Sequence, residues 1–188
     1  MDCGKGNIMI TKKIEAALND QLNFELYSAY IYMAMQAHLR FQGLNGFANW
    51  MQIQAQEESV HAMGMYSFII DRGGKVSLKA IAQPKTEWKS VLAVFENTLE
   101  HECIVTSRIN NIAALAESEK DFATRNFMQW YIGEQVEEES NANGIINDLK
   151  LAANSKETLL MLDRERAQRV FMFPVIPGGM KAPGATAP

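Results

Sequence analysis

The sequence predicts an all-α protein, a four-helix bundle with a long crossover between helices 2 and 3 and a short fifth helix. The first indication is the placement of proline, since Pro84 is the only proline before Pro174. Because proline removes a helix hydrogen bond and clashes with the preceding turn, long stretches without it are free to form helices. In those stretches apolar residues recur every three or four positions, which is the spacing of one helix face.

Composition narrows the class of protein. The chain has 188 residues, of which 47% are hydrophobic, so it is long enough for one sizeable core and too apolar to be disordered. A formal net charge of −4, with no stretch dense in Lys and Arg, argues against a nucleic-acid partner. No apolar run approaches the roughly 18 residues of a membrane span. With neither a signal peptide nor a CxxC motif, we expect a cytoplasmic protein that does not bind membranes.

The first two helices form a predicted antiparallel hairpin. Helix 1 is expected over residues 11–41, with Thr11 as its cap and an apolar stripe of Ile14, Leu18, Leu22, Ala29 and Met33. Helix 2 is expected to run from its cap Asn45 to about Arg72, with a stripe of Phe47, Met51, Met65 and Phe68. The joint between them is short, which is typical of antiparallel neighbours.

Helices 3 and 4 form a second predicted hairpin. Helix 3 is expected to begin near Thr86, with a stripe of Val91, Phe95, Val105, Ile109 and Ile112. Helix 4 is expected over residues 121–153, with a stripe of Phe127, Tyr131, Ile145, Leu149 and Ala152. Residues 73–85 are numerous enough to run the full length of a bundle, so they are predicted to cross over between the hairpins. A fifth helix is expected over residues 155–170, capped by Ser155.

These elements divide the chain into three parts. Residues 1–10 are expected to be a flexible N-terminal extension, and residues 11–170 the helical domain. Residues 171–188 are rich in Pro and Gly, cannot continue a helix, and are expected to lie outside the bundle. The start of this tail, residues 171–177, is unusually apolar for such a segment. We therefore expect it to dock on a neighbouring subunit or on an interior surface of an assembly.

Each of the four long helices carries a polar side chain on its apolar stripe. The inward residues are Glu25 on helix 1, Glu58 and His61 on helix 2, Glu102 on helix 3, and Gln135 and Glu138 on helix 4. The stripes offer no Lys or Arg at matching depth. An unpaired buried carboxylate costs several kcal/mol, and four of them would exceed the net stability of about 5 to 15 kcal/mol of a whole domain. A bound cation must compensate, and carboxylates with an imidazole suit iron or manganese.

The spacing on helices 2 and 4 refines this metal prediction. Glu58 and His61 form a complete Glu-x-x-His, the motif that di-iron helical bundles use together with single glutamates from two other helices. Glu25 and Glu102 match those single glutamates. Helix 4 departs from the pattern, because Gln135 stands where a second such motif has Glu. A neutral amide is a weaker ligand than a carboxylate, so the second iron should be held loosely, as in a site through which metal passes.

With these residues in place, the sequence resembles the non-haem bacterial ferritins of the ferritin-like di-iron superfamily. The resemblance covers about residues 14–169. It rests on Leu-Asn-Phe-Glu-Leu-Tyr-Ser at 22–28, Ala-Gln-Glu-Glu-Ser-Val-His at 55–61, His101-Glu102, and Gln-Trp-Tyr-Ile-Gly-Glu-Gln-Val-Glu-Glu-Glu at 129–139. It implies a ferroxidase centre in each subunit that oxidises Fe(II) with dioxygen or peroxide. It also implies a homo-oligomeric cage of 24 subunits that stores ferric mineral.

The resemblance also implies roles for individual residues. The first iron would be held by Glu25, Glu58 and His61. The second would be held by the bridging Glu58 with Glu102 and Glu138, and with Gln135 close by. A third iron site, facing the cage interior, would use Glu57, Glu134, Glu137 and Glu138. Tyr32 matches a tyrosine beside the centre, where it would donate an electron or support a carboxylate.

The sequence also bears on haem binding and on two other functions. Haem is not expected, because Ser59 stands where haem-containing relatives have Met and Glu138 where they have His. A di-iron oxidase or oxygenase acting on an organic substrate remains an alternative and would need a cavity beside the irons. A purely structural bundle would leave the inward acids uncompensated. His101 is predicted to neighbour the site or face solvent, and Cys103 to be a small buried side chain.

Overall fold

Five α-helices and no strands make up the regular structure of residues 9–153 and 155–178, the part of the chain that the computed structural model describes. The helices are α1 Lys12–Phe41, α2 Asn45–Asp71, α3 Val91–Ser118, α4 Phe122–Ala152 and α5 Lys156–Arg166. The prediction of an all-α bundle of four long helices and a short fifth one is confirmed. None of the helices in these described ranges is both long and apolar enough to cross a membrane.

Two of the predicted helix caps form as expected. The Thr11 hydroxyl accepts a hydrogen bond from the Ile14 N–H at 3.3 Å and starts α1. The Ser155 hydroxyl accepts one from the Thr158 N–H at 3.1 Å and starts α5. Such side-chain acceptors satisfy N–H groups that have no partner within the helix. The fifth helix ends at Arg166, before the predicted end near residue 170.

Helix α3 begins later than the predicted start near Thr86. The reason is local, because the Ser90 hydroxyl accepts the Ala93 N–H at 3.1 Å and fixes the start of α3 at Val91. Residues 74–88 have no regular secondary structure. The crossover is therefore longer than predicted, and α3 is shorter.

The cap of α2 comes from another helix. Asn45 was predicted to cap α2, but the cap position is Leu44, whose side chain cannot accept a hydrogen bond. The Asp163 carboxylate of α5 takes over and accepts the N–H groups of Gly46 and Phe47, both at 2.9 Å. A carboxylate at a helix N-terminus also interacts favourably with the helix dipole. The short fifth helix is thereby attached to the start of α2.

The helices pack as two hairpins, α1 against α2 and α3 against α4, with α1 also touching α3 and α5 lying against α2 and α4. Their apolar residues form two clusters along the bundle. One cluster takes its α1 residues from Ile14 to Leu22, and the other from Tyr32 to Leu39. Glu25 lies between these stretches, and the inward polar residues of the other three helices fall in the same gap. The sequence pattern thus creates one polar layer between two apolar ones.

The crossover is fixed to α1 by two asparagine side chains. Asn19 Nδ2 donates to the Lys75 carbonyl at 2.9 Å, and its Oδ1 accepts the Ser77 N–H at 2.6 Å. Asn23, one helical turn after Asn19, repeats this arrangement two residues further along the crossover. It donates to the Ser77 carbonyl at 2.8 Å and accepts the Lys79 N–H at 2.7 Å. These bonds satisfy extended backbone that has no strand beside it. The predicted crossover is confirmed.

The start of the C-terminal segment packs on the bundle, whereas the whole tail was predicted to lie outside it. Ile176 is only 3% exposed and joins the first apolar cluster, against which Phe171 and Phe173 also pack. It fits beside Gly64 of α2, where an added Cβ would lie 2.7 Å from the Ile176 Cδ1 atom. The absence of a side chain at Gly64 makes room for it. The rest of the predicted tail, residues 179–188, lies outside the described residues.

Most of the predicted flexible N-terminal extension, residues 1–8, also lies outside the described residues. Ile10, which belongs to that predicted extension, is buried in the first apolar cluster. Its N–H donates to the Arg72 carbonyl at 3.1 Å. The folded domain therefore includes Ile10, which precedes its predicted start at Thr11.

Candidate metal centre

Three predicted ligands converge in the polar layer of the bundle. Glu25 of α1 and Glu58 and His61 of α2 each offer a ligand atom, and these atoms all lie within 4.8 Å of one another. All three residues are at most 2% exposed. Glu58 and His61 share a helix face because they are three residues apart, and His61 Nδ1 lies 3.3 Å from Glu58 Oε2. These are the residues predicted to hold the first iron.

Besides the bridging Glu58 of α2, the predicted ligands of the second iron lie on α3 and α4 and are also buried. Gln135 Nε2 donates to Glu102 Oε2 at 2.9 Å, so the amide nitrogen of Gln135 is directed at this carboxylate. Glu138 Oε2 accepts a hydrogen bond from Gln54 Nε2 at 2.8 Å. Glu102 and Glu138 are thus held by neutral amide donors. Neither belongs to the close group of Glu25, Glu58 and His61.

Two glutamines of the centre were not predicted as site residues. Gln21 donates to Glu25 Oε1 at 2.9 Å and is itself oriented by Arg108 Nε, which donates to its Oε1 at 2.7 Å. Gln54 holds Glu138 across the bundle. Both are buried. A usable signal exists in the sequence, because each lies four residues before an inward glutamate and therefore on the same helix face.

Tyr32 contacts Glu102, one of the predicted ligands. It is fully buried, and its hydroxyl donates to Glu102 Oε1. Burial, together with the negative charges of Glu102 and Glu58, raises the pKa of the Tyr32 phenol well above its usual value. The phenol therefore keeps its proton at neutral pH and supports the carboxylate as a hydrogen-bond donor.

Burial sets the protonation states of the close group. It raises the pKa of Glu25 to about 7. It also raises the pKa of Glu58 well above the usual value, and repulsion from Glu102 adds to this effect. Burial lowers the pKa of His61 to about 4, so its imidazole is neutral and keeps a lone pair for a metal.

Two buried atoms of this group have no hydrogen-bond partner among the described residues, Glu25 Oε2 and His61 Nε2. Buried polar atoms are nearly always paired. A cation would satisfy Glu25 Oε2 and would replace the protons that the acids otherwise hold. The donor set of carboxylates and one imidazole therefore fits a hard or borderline metal ion.

The residues predicted for a third iron site form a second acidic cluster beside the centre, consisting of Glu57, Glu134, Glu137 and Glu138. Burial, with repulsion from Glu137 and Glu57, raises the pKa of Glu134 to about 7. His61 Nε2 lies 4.0 Å from Glu134 Oε1, so this imidazole stands between the inner group and the outer cluster. Glu137 is exposed and Glu134 half-buried, so the outer cluster opens to solvent.

The structure also shows where His101, Cys103 and Met33 lie. His101 is a neighbour and lies outside the close group, since its Nε2 is 2.7 Å from Ser28 Oγ and its ring meets the edge of Tyr32. Cys103 is exposed, so the prediction of a buried side chain is wrong. It directly follows the inward Glu102 and therefore points about 100° away from the core. Met33 was predicted on the apolar stripe of helix 1, but it is 52% exposed.

Comparison with known proteins agrees with this geometry. A family model described as a ferritin-like domain matches residues 15–152. The bacterial non-haem ferritin of Staphylococcus haemolyticus is 41% identical over 163 residues, which cover 87% of this chain and 98% of the relative. The Staphylococcus epidermidis protein of the same description is 40% identical over the same shares.

Solved structures of ferritins are similar to this chain as well. An open-pore ferritin from the hyperthermophilic archaeon Archaeoglobus fulgidus superposes with a TM-score of 0.85 at 50% identity, over 86% of this chain and 98% of that one. A closed form engineered from the ferritin of that organism gives a TM-score of 0.86 at 49% identity, over 87% and 99%. From the fold, the buried acid layer and these matches together, we conclude that the chain belongs to the ferritin family and is a ferritin of the bacterial non-haem type.

Proposed function

We propose that this ferritin stores iron by oxidising Fe(II) at the buried centre, with dioxygen or peroxide as the electron acceptor. The observation that carries the proposal is the convergence of Glu25, Glu58 and His61 to within 4.8 Å in a layer closed on both sides by apolar clusters. Two Fe(II) ions together supply the two electrons that reduce dioxygen to peroxide, or peroxide to water. The ferritin relatives favour this function over an oxygenase or a structural bundle.

We assign the substrate irons to two adjacent positions. The first uses Glu25, Glu58 and His61, and the second uses Glu58 as a bridge with Glu102 and Glu138. The neutral imidazole of His61 supports a role as nitrogen ligand. Gln135 stands beside the second position, and its Nε2 donates a hydrogen bond to Glu102 Oε2. Without a fourth-helix carboxylate at residue 135, the second iron is held less firmly and can leave as Fe(III).

The outer acidic cluster, Glu57, Glu134 and Glu137 with Glu138, is the proposed third site on the route to the store. Its position supports this role, because His61 Nε2 lies within 4.0 Å of Glu134 Oε1 and Glu137 is open to solvent. Hard carboxylate oxygens favour Fe(III). The route therefore passes from a closed site to one that water reaches.

The functional unit is proposed to be a 24-subunit homo-oligomeric cage in the cytoplasm, without haem and without a nucleic-acid or membrane partner. The description of the curated relatives as non-haem ferritins supports the absence of haem. Large apolar side chains on α1, among them Tyr30, Met33 and Phe41, are exposed in the single chain and are available for contacts between subunits.

Stopped-flow oxidation of Fe(II) tests the proposed centre. The double variant Glu58→Ala/His61→Ala removes the bridging carboxylate and the imidazole, so we expect it to lose the fast phase of Fe(III) formation. Glu96→Ala removes an exposed glutamate from α3 and should keep that phase. If the double variant oxidises Fe(II) as fast as the unmodified protein, the assignment of the centre is wrong.

A further inference from the structure

The outer acidic cluster already contains a cation from the same chain. Arg169, which follows α5, places Nη2 2.6 Å from Glu57 Oε2. Both side chains are largely enclosed, with 23% of Arg169 and 14% of Glu57 exposed. Ion pairs shielded in this way are weakened less by water than ordinary surface pairs.

Three further contacts hold Arg169 in this position. Its guanidinium lies over the Trp50 ring, 4.7 Å from the centroid. Its Nη1 donates to the Trp50 carbonyl at 3.4 Å. Its own backbone carbonyl accepts a hydrogen bond from Asn49 Nδ2 at 2.9 Å. A planar guanidinium can stack on an aromatic ring and donate hydrogen bonds at the same time, which an ammonium cannot. The charge is therefore preorganised at Glu57.

The surroundings of Glu57 are otherwise negative. Glu137 and Glu134 face it within the cluster, and burial with repulsion raises the pKa of Glu57 while the Arg169 charge lowers it. The cluster also has a sign of a missing ligand, because the buried His61 Nε2, 4.0 Å from Glu134, has no hydrogen-bond partner among the described residues. A metal ion entering this cluster must therefore compete with Arg169 for Glu57.

We propose that Arg169 is a positioning residue that competes with the metal for Glu57, and so keeps the outer cluster at an affinity low enough for iron to move on. This inference rests on the proposed function, in which the cluster lies on the route of Fe(III). When a metal binds, the guanidinium leaves Glu57. When the metal departs, Arg169 returns and neutralises the carboxylate that would otherwise retain the ion.

Zn²⁺ binding to the assembled full-length protein tests the role of Arg169 without redox chemistry. Isothermal titration calorimetry gives the affinities, and anomalous difference maps of Zn²⁺-soaked crystals assign them to sites. We expect Arg169→Gln to bind Zn²⁺ at the outer cluster about tenfold more tightly, because one nearby positive charge is lost. Arg169→Lys keeps the charge but loses the fixed stacking, so it should tighten binding by less.

Arg164→Gln is the matched control, since it removes an exposed arginine from α5. It should change the Zn²⁺ affinity neither of the outer cluster nor of the buried centre. Thermal unfolding checks that the variants fold. Both substitutions leave the backbone carbonyl of residue 169, which accepts the hydrogen bond from Asn49, unchanged. The proposal is overturned if Arg169→Gln binds Zn²⁺ at the outer cluster no more tightly than the unmodified protein, or if neither protein binds there. Zn²⁺ missing at Glu25, Glu58 and His61 in every protein would instead contradict the proposed function.

Discussion

At the scale of single residues, the centre depends on acids that hold protons and on a histidine that does not. Burial raises the pKa of Glu25 to about 7 and lowers the pKa of His61 to about 4. Burial thus favours the protonated forms of the acids in the metal-free layer, and the hydrogen bonds of the layer come from uncharged donors such as Gln21, Gln54 and Tyr32. A metal ion exchanges with these protons. Metal binding is consequently coupled to proton release.

The same groups predict how pH acts on the metal-free protein. An acid whose folded pKa is raised stabilises the fold below its unfolded pKa, and this stabilisation is lost as the pH rises through the folded value, about 7 for Glu25. The buried His61 and His101, with pKa values lowered to about 4, act in the opposite direction and lose stability as the pH falls below about 6.5. The acids with raised pKa values outnumber these histidines, and they are Glu25, Glu57, Glu58, Glu102, Glu134 and Glu138.

We therefore expect the Tm of the metal-free protein to fall between about pH 5 and about pH 8, and saturating Zn²⁺ to reverse most of the fall at the alkaline end. Differential scanning calorimetry with and without a chelator measures both effects. Glu25→Gln removes one of the titrating acids, so its Tm should depend less on pH. A Tm that rises steadily over this range in the metal-free protein would contradict the protonation states described for the layer.

At the scale of the helices, sequence patterns predict local features but not the contacts between distant elements. Helices α1 and α4 were placed to within a residue or two, because long apolar stripes and side-chain caps are local signals. The cap of α2 could not be found, since Asp163 lies on a different helix and reaches Gly46 only once the bundle has folded. The packing of Ile176 on the bundle could not be predicted for the same reason, because it depends on the space left by the missing side chain of Gly64 on α2.

The shared cap gives a prediction at this scale. Asp163→Ala leaves the N–H groups of Gly46 and Phe47 without their acceptor and loosens α5 from α2. We expect a loss of about 1 kcal/mol, as for other N-cap replacements, and a Tm lower by about 2 to 4 °C. Glu165→Ala, an exposed acid on the same helix, is the control and should have little effect. Equal Tm values for the two variants would show that the cap contributes nothing measurable.

At the scale of the whole molecule, the distribution of charge matters more than its sum. The 22 acidic and 18 basic residues describe a mildly acidic chain, yet four of the glutamates occupy the core layer in place of apolar side chains. The layer was predictable because the acids interrupt stripes that are otherwise apolar. The hydrogen bonds of the layer could not be predicted, because the pairing of Gln54 with Glu138 joins α2 to α4 across the bundle.

The proposed assembly is testable at this scale. Twenty-four copies of the 21.1 kDa chain give a particle of about 0.5 MDa. Native mass spectrometry and gel filtration should find this species in both the unmodified protein and the Glu58→Ala/His61→Ala variant, since the centre lies inside one subunit. A dimer as the largest species would rule out a storage cage and favour the oxygenase alternative.

Asn19 and Asn23 of α1 hold the crossover by its backbone, which limits how the sequence of the crossover can vary. Every one of these four bonds goes to the main chain of residues 75, 77 and 79, at a spacing of two residues. The side chains of these three exposed residues are therefore nearly free to change, while the register of the crossover is not. Homologues should tolerate almost any non-proline substitution at these three positions. A single inserted or deleted residue would instead misalign the hydrogen bonds to Asn19 and Asn23, as a shift in register misaligns the strands of a sheet.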